Sequence, residues 1–154
     1  GVLSRGYRFE IGPQARSNKF LKFVDIDNDG DMDLFDGGST SPLVIYLNEN
    51  GKFEKTPSWY SRDESPSLQD AAFEDFDKDG DLDLATVHFA SGKGVVRIYL
   101  NRRNILDTIP DWVVPWNGKS ATSISVLDAN GDGKSDILVG VVQIDIQIPL
   151  RLDV

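Results

Sequence analysis

The chain has 154 residues, 40% of them hydrophobic, enough for one domain with a modest core. Its formal charge of −9 argues against nucleic acid and anionic membrane as partners. No cysteine and a single histidine, His88, disfavour zinc, copper and iron sites and leave the redox compartment open.

In chain order, residues 1–15 read as an outer strand, Tyr7–Ile11, followed by a linker; Arg8-Phe9-Glu10 and Pro13 match Lys52-Phe53-Glu54 and Pro57 further on. Alternating apolar residues in Phe20-Leu21-Lys22-Phe23-Val24 predict a strand. It runs into Asp25-Ile26-Asp27-Asn28-Asp29-Gly30-Asp31-Met32-Asp33, five aspartates at alternate positions with a glycine among them. Leu34-Phe35 leaves this loop as a second strand and Val44-Ile45-Tyr46-Leu47 makes a third. Asn50-Gly51 marks a tight turn into a fourth strand containing Phe53.

The series then returns. Ala71-Ala72-Phe73-Glu74 leads into Asp75-Phe76-Asp77-Lys78-Asp79-Gly80-Asp81-Leu82-Asp83, and Ile124-Ser125-Val126-Leu127 into Asp128-Ala129-Asn130-Gly131-Asp132-Gly133-Lys134-Ser135-Asp136. The loops start 50 and then 53 residues apart, and a shift of 53 superimposes Ile45-Tyr46-Leu47-Asn48 on Ile98-Tyr99-Leu100-Asn101 and Trp59 on Trp112. A period near 50 without helical periodicity predicts stacked structural units, each a four-stranded antiparallel blade. The units are expected at 16–59, 60–112 and 113–154. The third lacks its outer strand and carries Pro149 in its third.

So many carboxylates within nine residues repel one another and call for a cation. The donors are hard oxygens, which leaves calcium or magnesium, and five or more oxygens from a flexible loop favour calcium. Positions 1, 3 and 5 point carboxylates inward, the glycine at 6 allows a sharp turn, position 7 offers its carbonyl and position 9 supplies Asp33, Asp83 or Asp136. An EF-hand is excluded, because position 12 is Asp36, Thr86 or Val139 rather than glutamate and strands, not helices, follow. About three ions would bring the net charge to roughly −3, which makes the acidity mostly a metal-site signature.

This pattern, followed by an apolar pair, resembles the FG-GAP repeats of integrin alpha-subunit propellers and the related VCBS repeats. The resemblance implies an all-β propeller of three blades. It also implies one calcium ion per blade, ligated by Asp25, Asp27, Asp29, the Asp31 carbonyl and Asp33. The same roles fall to Asp75, Asp77, Asp79, Asp81 and Asp83, and to Asp128, Asn130, Asp132, Lys134 and Asp136. With one carboxylate lost to Asn130 and Lys134 beside it, the third site is expected to bind most weakly. The Phe-Gly and Gly-Ala-Pro elements behind the repeat's name are not clearly present, which leans toward the VCBS-like branch.

Three blades do not close a ring, since propellers take about four to eight. The expectation is either a dimer with six blades, in which Tyr7–Ile11 completes the third blade of another copy, or a larger propeller of which this is a segment. Trp59 and Trp112 suit blade-to-blade packing or stacking against a sugar. His88 has no partnered nucleophile and reads as structural. The expected role is a non-enzymatic, lectin-like recognition module for a glycan, with a protein-binding adhesion module or an accessory part of a carbohydrate-active enzyme as alternatives. Calcium sites of this kind fill at the millimolar calcium outside cells, so an extracellular or cell-surface location is expected. No apolar run is long enough to cross a bilayer, and Gly1 suggests a processed or excised piece of a longer parent.

Overall fold

The computed structural model describes residues 18–38, 42–63, 67–90, 93–116 and 120–141. The expected strand Tyr7–Ile11 and the third strand of the last unit, with Pro149, lie outside the described residues. Among these residues there are twelve strands and no helix. They are β1 (Asn18–Val24), β2 (Asp33–Gly38), β3 (Val44–Tyr46), β4 (Asn48–Glu49), β5 (Lys52–Phe53), β6 (Trp59–Tyr60), β7 (Leu68–Glu74), β8 (Asp83–Ala90), β9 (Lys93–Tyr99), β10 (Trp112–Trp116), β11 (Ala121–Leu127) and β12 (Asp136–Val141).

Two four-stranded antiparallel sheets result, ordered β1-β2-β3-β6 and β7-β8-β9-β10, followed by the pair β11-β12. Each acidic loop joins the first strand of a unit to the second, as expected. One expected strand is corrected. Phe53 is not in the outer strand of the first sheet; β4 and β5 form a separate two-residue ribbon closed by Asn50 and Gly51, both at positive φ (53° and 78°). Asn-Gly suits such a tight turn, and the turn returns the chain too early to reach the sheet edge. The chain continues past Pro57, and β6 becomes the outer strand. In the second unit β10 takes that place and runs on to Trp116, past the expected boundary at 112, while the ribbon shrinks to a bridge between Asn101 and Leu106.

The sheets stack face to face. Phe35 and Ile45 of the first pack with Leu68, Ala71, Leu84 and Tyr99 of the second, and the Phe35 ring meets Phe73 edge-on at 5.5 Å. The other face of the second sheet, Ala85, Val87, Val96 and Ile98, packs with Ala121, Ile124, Ile137 and Val139 of the third unit. Full burial of a side chain such as Phe35 is worth about 1.5–3 kcal/mol. Close approach at the first junction depends on Gly37, where a Cβ would lie 2.1 Å from Cδ2 of Leu68. The inner strands are also tied by polar contacts: Asp70 accepts from Lys22 at 3.0 Å through one carboxylate oxygen and from the Ile124 amide at 3.2 Å through the other.

Candidate metal centre

The three loops share one hydrogen-bond lattice. In the first, the two oxygens of Asp25 accept from the amides of Asp29 and Gly30, both at 3.1 Å, Asp27 accepts from Asp29 at 3.3 Å, and Asp29 accepts from Asp31 at 2.8 Å. The second repeats this with Asp75, Asp77 and Asp79. The third does so with Asp128, Asn130 and Asp132. Gly30, Gly80 and Gly133 sit at φ of 93°, 98° and 78°, a region that side chains disfavour. Position 4 also adopts positive φ, at Asn28, Lys78 and Gly131.

This lattice turns carboxylates toward one another. Oxygens of Asp25, Asp27 and Asp29 all lie within 4.8 Å of each other, and so do those of Asp75, Asp77 and Asp83. With Asn130 at position 3, the third loop gathers no such trio among the described residues. Burial, then the charge of Asp29 and Asp25, raises the pKa of Asp27; burial, then Asp79 and Asp75, raises that of Asp77. Burial pushes Asp83 up to about 6, against the amides of Asn101 and Phe76 that hold it down. Charged carboxylates forced together in this way are what a divalent cation relieves, and the donors are all oxygen, so the residues present fit a hard cation.

Position 9 has a second duty. Asp33 accepts from the Ile26 amide at 3.0 Å and the Asn48 amide at 2.8 Å, and Asp83 accepts from Phe76 at 2.8 Å and Asn101 at 2.7 Å. These buried carboxylates brace each loop against the end of its third strand. The side chains at position 7 brace as well: Asp31 accepts from the Asn50 amide at 2.6 Å and Asp81 from the Asn104 amide at 3.2 Å. Sequence reasoning missed Asn48 and Asn101, whose side chains donate to the carbonyls of Met32 and Leu82. Their coincidence under the 53-residue shift was the available signal.

Trp59 and Trp112 both pack between units. The Trp59 indole N–H donates to the Leu106 carbonyl at 2.9 Å and its ring stands edge-on to Tyr99 at 6.0 Å, while Trp112 lies against the second core. Trp59 also lines a groove of about 220 Å³ at the first junction, together with Ile26, Asp27, Ser58, Asn104 and Ile105. His88 is buried, its Nε2 2.9 Å from Thr86 Oγ1.

Fold and loops together define a class: an all-β repeat protein whose units are antiparallel sheets with an acidic loop between the first two strands. Residues 15–86 match the FG-GAP-like repeat, which supports the family resemblance read from the loops. The match takes in the first two loops; the third lies beyond it and keeps the same lattice. No curated protein matches the chain.

Proposed function

We propose that the chain is a calcium-stabilised, non-enzymatic recognition module built as part of a propeller. The observation that carries the calcium reading is the trio of converging carboxylates in each of the first two loops, Asp25, Asp27 and Asp29 in one and Asp75, Asp77 and Asp83 in the other, with positions 1 and 3 common to both. Calcium would supply the positive charge that lets these loops fold; the chain's own residues would hold it through Asp25, Asp27, Asp29 and Asp33, through Asp75, Asp77, Asp79 and Asp83, and more weakly through Asp128, Asn130, Asp132 and Asp136. The carbonyls of Asp31, Asp81 and Lys134 add to these sets. The test is thermal melting with calcium and with chelator, since ligand binding to the native state raises stability by mass action. Calcium should raise the melting temperature, and Asp27→Ala or Asp77→Ala should remove more of that rise than Asn130→Ala. A melting temperature indifferent to both calcium and chelator overturns the reading.

The ligand class proposed is carbohydrate, held in the groove beside Trp59, where an indole and the polar groups of Asp27, Ser58 and Asn104 stand together. A glycan array separates this from a protein-binding adhesion module: Trp59→Ala should lose glycan signal, while Trp112→Ala should only lower the melting temperature. The proposed location is outside cells or on their surface, where millimolar calcium would fill such loops.

Closure is proposed from exposure on the outer faces. Leu21 and Phe23 are 59% and 65% exposed, whereas their repeat equivalents Ala71 and Phe73 pack on the preceding sheet. On the far side, Leu138 is 38% exposed where Ala85 is fully buried. Further blades would cover both faces, from a second copy of this chain or from more repeats in one parent. Light scattering after size exclusion tests the pairing: a mass near 17 kDa contradicts it, and about twice that supports it.

A further inference from the structure

The first two loops are joined to each other. The Asn28 side chain, at position 4 of the first, donates to Asp81 Oδ1 at position 7 of the second, at 3.1 Å, and to Asn104 Oδ1 at 3.2 Å. Asn104 in turn donates its amide to the other oxygen of Asp81. Beneath this exposed bridge lies a buried one. The Asn101 side-chain amide, fully excluded from solvent, donates to the Ile26 carbonyl in the first loop at 2.9 Å and to the Leu82 carbonyl in the second at 3.2 Å. Its repeat equivalent Asn48 donates to Met32 of its own loop. Asn101 is therefore a clamp across a junction as well as a brace within a unit.

We propose that the first two loops fill with calcium cooperatively, each ion preparing the neighbouring site through Asn28 and Asn101. The inference rests on the calcium reading above. An ion that fixes the backbone around Asp81 and Leu82 also fixes the Asp81 carboxylate that accepts from Asn28 and the Asn101 amide that donates to Ile26. The first loop then has less ordering left to do when its own ion arrives, and that saving is a coupling free energy, reciprocal between the sites. Repulsion between two divalent ions opposes the effect. Each loop carries five aspartates, however, so a loop holding one ion remains net negative and still attracts its neighbour's.

The first side chain to test is Asn28, which is exposed and at positive φ, so that Asn28→Gly removes the bridge while suiting the backbone. Calcium is titrated into the whole chain while nuclear magnetic resonance follows the amides of Gly30 and Gly80, one in each loop. In the parent protein the two transitions should coincide and be steeper than independent binding. Disabling the second loop with Asp79→Ala should move the Gly30 midpoint to higher calcium, on the order of tenfold for a coupling of usual size. Asn28→Gly, with both loops intact, should separate the two transitions and flatten them, which keeps the inference testable should Asp79→Ala not fold. Two loops that fill independently in the parent protein, with a Gly30 midpoint unmoved by Asp79→Ala, overturn the inference alone. Amides that ignore calcium overturn the calcium reading and this inference with it.

Discussion

The first and second units share a plan and differ in their surroundings. In the second, the strand leading into the loop presents Ala71 and Phe73 to a neighbouring sheet; in the first, the same strand presents Leu21 and Phe23 to solvent. Two residues past the third strand stands Asn48 in one and Asn101 in the other, yet only Asn101 reaches a second loop. The contrast shows that a repeat residue acquires its energetic weight from the unit stacked beside it. It also sets the inner strand of the first unit apart, since its Leu21 and Phe23 stay exposed where their equivalents are packed.

The sharpest way to break this comparison is at the paired phenylalanines. Phe73→Ala, at a side chain partly buried against the first core, should cost about 2–3 kcal/mol, the low end for Phe truncation, against under about 1 kcal/mol for Phe23→Ala, measured by urea unfolding at low protein concentration. Equal costs would show that the first unit's inner strand is covered in solution. A smaller difference is expected at the asparagines. Asn101→Ala strands two carbonyls, those of Ile26 and Leu82, and should cost about 2 kcal/mol, while Asn48→Ala strands only that of Met32 and should cost about 1 kcal/mol, both read without calcium. The smallest effect on stability belongs to Leu21→Ser, expected within about 0.5 kcal/mol for an exposed site. Its readout is mass: if the first unit docks on another blade, Leu21→Ser together with Phe23→Ser should shift light scattering toward the monomer.

What could be read from the sequence was what is encoded locally. Nine residues specify each loop, because the alternation of Asp25, Asp27 and Asp29 and the positive φ of Gly30 need nothing from elsewhere in the chain. The strand before each loop follows from alternation in the same local way, and the strand after it from a short apolar run, Leu34-Phe35, Leu84-Ala85 or Ile137-Leu138. The outer strand did not, because Asn50-Gly51 is a strong turn signal whichever sheet its arms belong to, and the sheet edge goes to β6, which pairs with Val44 and Ile45 while Trp59 packs on Tyr99 of the next unit. The double duty of Asp33 and Asp83 and the bridge from Asn101 to Ile26 were beyond local reading. They depend on how segments up to 75 residues apart sit side by side. The tryptophans show the same limit: their equivalence was visible, but the groove beside Trp59 is closed by Asn104, Ile105 and Leu106 of the next unit.

Asp70 carries a consequence for how the array comes apart. Repeat proteins whose units touch only through apolar faces can fray from one end, each unit melting with its own interface. Here one carboxylate in the middle unit receives an ammonium from the unit before it and a backbone amide from the unit after it. Peeling off the first unit deprives that carboxylate of its cation, and peeling off the third strands the amide of Ile124. Loss at either end is thus felt at the same atom group in the centre, which favours a single unfolding transition over a staircase of three.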